Sequence, residues 1–301
     1  MPFETLLRQA CPNCTESSIR TYTFNIRALA KLAGHQTVPM HSRWINKELL
    51  AKVKKKTLGQ QKKLTIAGAK ALRAYDKTRQ FWTTALKSVN TRYRDERNKQ
   101  KRTEREKELW PDGGYKALTK LAETLKLEVQ GILDKAPKAI SMSELYRLQQ
   151  WFVVLFYSRH ALRGDLAEVR LQQRGHNYIY KRGSNWHVHI GEHKTSKSSG
   201  AIDIQLHVEV QKGLLKFMPF VKAKTSHGYL LTTKVSGAKM DRRDMLLMLR
   251  RITEDRLGKR LGVQMIRVLR TTDSAEAINE AAKLRQELGH GAATQFQYVS
   301  R

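Results

Sequence analysis

One stretch interrupts an otherwise helical pattern and bounds what the chain can become. Between residues 178 and 206 apolar side chains alternate with polar ones: Tyr178 and Tyr180, then Trp186, Val188 and Ile190, then Ile202, Ile204 and Leu206. A period of two places alternate side chains on one face, as a half-buried strand requires. Arg182-Gly183-Ser184-Asn185 supplies a tight hairpin turn, and residues 193–200 (HKTSKSSG) a longer, basic one. Elsewhere the apolar residues recur at three and four. Ile19, Tyr22, Ile26, Leu29 and Ala33 form one such face after the possible N-caps Ser17 and Ser18. Similar periodicity predicts helices at 44–56, 64–75, 78–89, 117–133, 208–217, 242–257, 263–269 and 275–288. Another helix, with Leu148, Trp151, Phe152, Leu155 and Phe156, follows the capping box Ser141-x-x-Glu144. Three short strands set among helices give an α+β fold, mostly helical, with one small three-stranded antiparallel sheet.

A mixed-sign charge run at 92–108 contains no aliphatic residue, and Trp110-Pro111-Asp112-Gly113-Gly114 ends it. Such a run is a solvated helix or linker. It divides the chain into an N-terminal helical domain, 1–108, and a second domain, 109–301. No run of about 18 uncharged apolar residues occurs, which argues against a membrane span. The start, Met1-Pro2-Phe3-Glu4, lacks the layout of a secretory signal, and an intracellular protein is expected.

Charge narrows the class of partner. The 57 Lys and Arg against 27 Asp and Glu leave a net charge of +30, an excess that self-repels unless a polyanion neutralises it. The cations are spread over the chain rather than along one amphipathic helix, so nucleic acid is favoured over a membrane surface. Lys47, Lys52, Lys54, Lys55, Lys56, Lys62 and Lys63 have Glu48 as the single acid among them, a pattern suited to phosphate contact. Cys11 and Cys14 exclude a disulfide scaffold by their number. With only His35 and His41 nearby, at unorthodox spacing, they read as two reduced thiols in a turn and no metal site is expected.

The chemistry-bearing residues are scattered but ordered. Arg163 ends the helix that begins at Ser141, within Ala161-Leu162-Arg163-Gly164-Asp165-Leu166. Lys194 and Lys197 lie in the second hairpin connection. Arg267-Val268-Leu269-Arg270-Thr271-Thr272 lies on a helix. Leu288-Gly289-His290 closes another, and Tyr298 follows eight residues later. Two arginines suit the nonbridging oxygens of a phosphate, because guanidinium is planar and permanently charged. A lysine in a cationic neighbourhood can serve as an acid, and a tyrosine as a nucleophile. The histidines His187, His189 and His193 read as a polar strand face.

In this order and these local settings, residues 141–301 resemble the tyrosine recombinase (phage integrase) family, and the N-terminal module resembles its core-binding domain in general layout. The resemblance implies cutting and rejoining of double-stranded DNA through a 3′-phosphotyrosyl intermediate. Tyr298 would be the nucleophile, Arg163 and Arg270 the phosphate clamps, Lys194 the general acid (Lys197 in reserve), and His290 an assistant. Arg267 stands where the family usually has a histidine, which keeps a donor but removes a group that titrates near neutrality. The family's acid three residues after the first arginine is displaced here, leaving Asp165 or Glu168 to support Arg163. The resemblance further implies a tetramer on a specific DNA site, with no cofactor. A type IB topoisomerase or telomere resolvase would share the chemistry. A basic DNA-binding protein that never cuts would share only the charge.

Overall fold

The computed structural model describes residues 3–99 and 101–287. It divides into two compact units, Met1–Arg102 and Thr103–Arg301, each with its own apolar core.

The first unit is helical: α1 (Phe3–Ala10), α2 (Glu16–Leu32), a 3-10 turn (Ser42–Trp44), α3 (Lys47–Lys54), α4 (Leu58–Ala74) and α5 (Gln80–Asn98). Caps set the boundaries. Thr15, rather than Ser17 or Ser18, caps α2, its hydroxyl accepting from the Ser18 amide at 3.3 Å. Asn46 Oδ1 accepts from the Leu49 amide at 2.9 Å, so α3 starts after Trp44. A Thr57–Gln60 capping box starts α4 earlier than its apolar periodicity suggests. Ile26, Leu29, Ile45, Val53, Ala71 and Trp82 fill the core. Trp82 donates its indole N–H to Thr65 O at 2.9 Å, and its ring lies against Gly68, where an added Cβ would stand 2.2 Å from it. That glycine is what lets α4 and α5 approach.

The second unit is the mixed one: α6 (Glu104–Glu108), α7 (Lys116–Leu133), α8 (Met142–Tyr157), a 3-10 turn (Gly164–Glu168), β1 (Asn177–Arg182), β2 (Asn185–Ile190), α9 (Ser196–Ser199), β3 (Ile202–Gln205), α10 (Val208–Lys224), α11 (Arg242–Leu257), α12 (Val263–Asp273) and α13 (Ala275–Glu287). The fold class is thus mostly helical α+β. The capping box Ser141–Glu144 starts α8, which is buried without interruption from Trp151 to Tyr157. A helix apolar on every side belongs at the centre of a core, and α7, α10 and α11 pack around this one. Phe152 stacks on Phe217 of α10, ring centroids 4.9 Å apart.

The strands form one antiparallel sheet in the order β1-β2-β3, with Ile179 opposite Val188 and Val188 opposite Ile204. Ile179 and Val188 enter the core. The opposite face carries Tyr178, Tyr180, His187 and His189, of which Tyr180 and both histidines converge on Asp203. Among the described residues no helix is long and apolar enough to cross a membrane.

Candidate active site

The end of α8 builds the first part of the site. The chain leaves the helix at Ser158 and reaches Arg163 in extended geometry, with φ −69° and ψ −176°. Two buried phenols fix this exit. Tyr115 donates to the carbonyl of Tyr157 at 2.9 Å, and Tyr157 donates to the carbonyl of Arg163 at 2.9 Å. Complete burial pushes the Tyr157 hydroxyl far above its ordinary range, so it stays a donor.

The side chain of Arg163 is held as firmly as its backbone. Its Nη1 donates to Thr195 Oγ1 at 2.8 Å, and Thr195 adjoins Lys194 in the β2–β3 connection. Buried His193 closes that connection: its Nε2 meets Gly200 O at 2.8 Å, while its Nδ1 accepts from the Thr195 amide at 3.4 Å. The Nε2–H tautomer satisfies both bonds. The Thr195 hydroxyl then meets Arg163, Ser199 and His193. The structure therefore brings Arg163 to the loop that bears Lys194, whose side chain is exposed. Lys197 lies in α9, and its side chain is outside the described residues.

The candidate acids follow Arg163 in the chain. Asp165 is 5% exposed and paired with Arg242 at the start of α11. Arg242 lies across Gly164, where an added Cβ would be 3.1 Å from Nε. Glu168, the alternative, is more open to solvent and pairs with Lys239. Of the two, Asp165 is the buried one, two residues past Arg163.

The second arginine has a different neighbourhood. Arg270 of α12 lies 5.2 Å from the centroid of the Tyr115 ring and 3.5 Å from Asp273. With Lys116, Arg159 and His207 it lines a cleft of about 260 Å³. Burial, with His207 and Arg270 nearby, pushes the His160 imidazole down to about 4. His160 and Arg159 belong to the segment that ends at Arg163, so the two arginine neighbourhoods sit along one connection, 158–163. Their guanidinium groups have different partners: Arg163 takes Thr195, and Arg270 takes Tyr115 and Asp273. Arg267, one turn earlier on α12, is half-buried, and its carbonyl accepts from Thr271 Oγ1 at 2.8 Å. His290 and Tyr298 lie outside the described residues.

In the first unit Lys47, Lys52, Lys54, Lys55, Lys56 and Lys63 are exposed on or beside α3 and α4. Lys62 is half-buried, with its Nζ 3.8 Å above the Tyr93 ring. Cys11 is buried and Cys14 partly so, and neither forms a disulfide. Among the described residues no group of three or more His, Cys, Asp or Glu side chains could hold a metal ion.

Sequence reasoning missed Thr195, Arg242, Tyr157, His160 and His207. The bonds that tie them into the site span 6 to 77 residues of chain, from Tyr157–Arg163 to Asp165–Arg242. Periodicity does not encode such pairings. Compared with known protein families and with characterised proteins, the chain matches none.

Proposed function

We propose that this protein cuts and rejoins double-stranded DNA by transesterification, as a tyrosine recombinase or integrase does. The observation that carries the reading is the bond from Arg163 to Thr195. It joins the segment that follows α8 to the connection bearing Lys194, so a permanent cation is tied to the loop that carries a potential acid. The Asp165–Arg242 pair anchors the turn that follows Arg163.

In the proposed reaction the phenolic oxygen of Tyr298 attacks a backbone phosphorus. A tyrosyl ester to the 3′ phosphate forms as the bond to the 5′ oxygen breaks. Arg163 and Arg270 stabilise the charge that grows on the nonbridging oxygens. Lys194 protonates the departing 5′ oxygen, and His290 assists at the phosphate or at Tyr298. Attack by a 5′ hydroxyl on the ester reverses the steps. The exposed lysines of α3 and α4 would contact backbone phosphates, giving affinity without sequence choice. Pairing of two DNA sites by a tetramer would make the reaction recombination.

The test is a nicked duplex carrying the sequences that flank the gene. The nick lets the short 5′-hydroxyl fragment diffuse away and traps the ester. A protein–DNA band that survives denaturation is expected, and Arg163→Ala should remove it. Binding without any such band would leave a basic protein that never cuts.

A further inference from the structure

The proposed chemistry gives no task to the imidazole that lines the Arg270 cleft. His207 is the N-cap of α10, and its Nδ1 accepts from the Glu209 amide at 3.2 Å. Its own amide donates to Nε2 of His160 at 2.9 Å. A backbone amide can only donate, so both of these ring nitrogens are unprotonated. In the neutral ring of His207 the proton must then sit on Nε2. With Nδ1 turned back to its own helix, Nε2–H is the polar edge left for the cleft that His207 lines.

That cleft suits an anion. Lys116 of α7, Arg159 of the 158–163 segment and Arg270 of α12 contribute cations to its lining. Arg159 also has a buried Nε with no hydrogen-bond partner among the described residues. The one carboxylate in the lining, Asp273, is already near Arg270 at 3.5 Å. Tyr115 closes the floor, its hydroxyl donated to Tyr157 O.

We propose that His207 is a neutral hydrogen-bond donor to the phosphate gripped by Arg270, and that His160 is the residue that positions it. This rests on the recombinase reading and deepens it. Arg267 stands where the resembled motif usually has an imidazole, and His207 brings one to the Arg270 cleft from the β3–α10 junction instead. His160 works through His207 alone. Held neutral by burial, it keeps its Nε2 as an acceptor throughout the working range.

Substitutions in the full chain separate these roles. His207→Asn retains a good N-cap, since asparagine caps as well as any residue, but its shorter side chain pulls the remaining N–H donor back from the phosphate. The melting temperature should stay near the parent's. The single-turnover rate of adduct formation on the nicked duplex should fall about 10²-fold, the usual loss for one preorganised donor, with little change in half-saturating DNA concentration. His160→Gln can still accept from the His207 amide and should retain most of the rate, whereas His160→Leu should lose it as His207→Asn does. A second readout does not need DNA. Titrating the ¹⁵N-labelled protein with inorganic phosphate should move the His207 Nε2 resonance, and less so in His160→Leu. A His207→Asn protein that cleaves at the parent rate overturns the proposal, and so does an unmoved His207 resonance. Failure of the parent protein to form any adduct overturns the recombinase reading and with it the catalytic role of His207. A phosphate response of His207 in that case identifies an anion site outside this chemistry.

Discussion

Arg163 is held at both ends, its carbonyl by Tyr157 and its guanidinium by Thr195. Thr195→Val keeps the side-chain volume and removes the acceptor of a charge-assisted bond, an interaction typically worth about 1.5–3 kcal/mol. Adduct formation should slow roughly 10-fold, as expected when a little over 1 kcal/mol of positioning is lost at the reacting group. Single-turnover kinetics beside a melting curve would check that the fold survives. Arg242→Ala strands the buried carboxylate of Asp165. An unpaired buried charge costs about 3–5 kcal/mol, but half-exposed Arg242 leaves room for water to replace it. A loss near 2 kcal/mol by denaturant titration is therefore expected. His160 gives a pH signature. Its folded value of about 4 lies below the ordinary 6.5, so the unfolded chain binds the proton more tightly. Its contribution is complete above pH 6.5 and is lost as pH falls towards 4. The stability difference between the parent and His160→Gln should shift in the parent's disfavour across that window, by on the order of 1–2 kcal/mol. No such difference in urea titrations at the two ends would contradict it. At this scale the sequence carries the residue types but not the pairings. Asp165 and Glu168 are equivalent candidates in the sequence, and only the approach of Arg242 from α11 separates them.

Elements are legible wherever an apolar stripe has to be buried. The helices Lys116–Leu133 and Arg242–Leu257 and the strands β2 and β3 follow the expected pattern closely, whereas β1 buries Ile179 and turns Tyr178 and Tyr180 to the polar face, and α8 stops at Tyr157 short of Arg163. What escaped had other causes. α5 continues to Asn98 through residues with no apolar spacing, carried by Arg and Glu, which have good intrinsic propensity. α10 continues through Pro219 to Lys224 because Phe220 and Val221 are buried beyond it, and tertiary packing outweighs the missing hydrogen bond. Gly68 looks like a weak point of α4, yet it is the notch for Trp82. Gly68→Ala would gain about 1 kcal/mol of helix propensity. It would also push a methyl into a fully buried ring, and overpacking of a core costs about 1–3 kcal/mol, occasionally more. With the Cβ at 2.2 Å, the clash wins. A net loss of about 2 kcal/mol is expected in chemical denaturation, and an unchanged midpoint would mean that α5 shifts freely.

Across the whole molecule the governing quantity is charge. The net +30 is partly concentrated on α3 and α4, where Lys47 to Lys63 carry only Glu48 as counterweight. If these lysines neutralise phosphates, replacing Lys54, Lys55 and Lys56 with Gln should flatten the salt dependence of DNA binding. The slope of log K against log salt should fall by about 0.9 for each phosphate left without its lysine, with little effect on the cleavage rate of bound DNA. An unchanged slope would make this surface merely solvated. The composition alone favours a polyanionic partner, but it does not distinguish holding DNA from cutting it. That distinction rests on one bond to phosphorus. Digestion of the trapped adduct and peptide mapping by mass spectrometry locate the residue that carries the nucleotide. Tyr298 is the predicted site of attachment. A nucleotide on any other residue, or no nucleotide at all, would contradict the account.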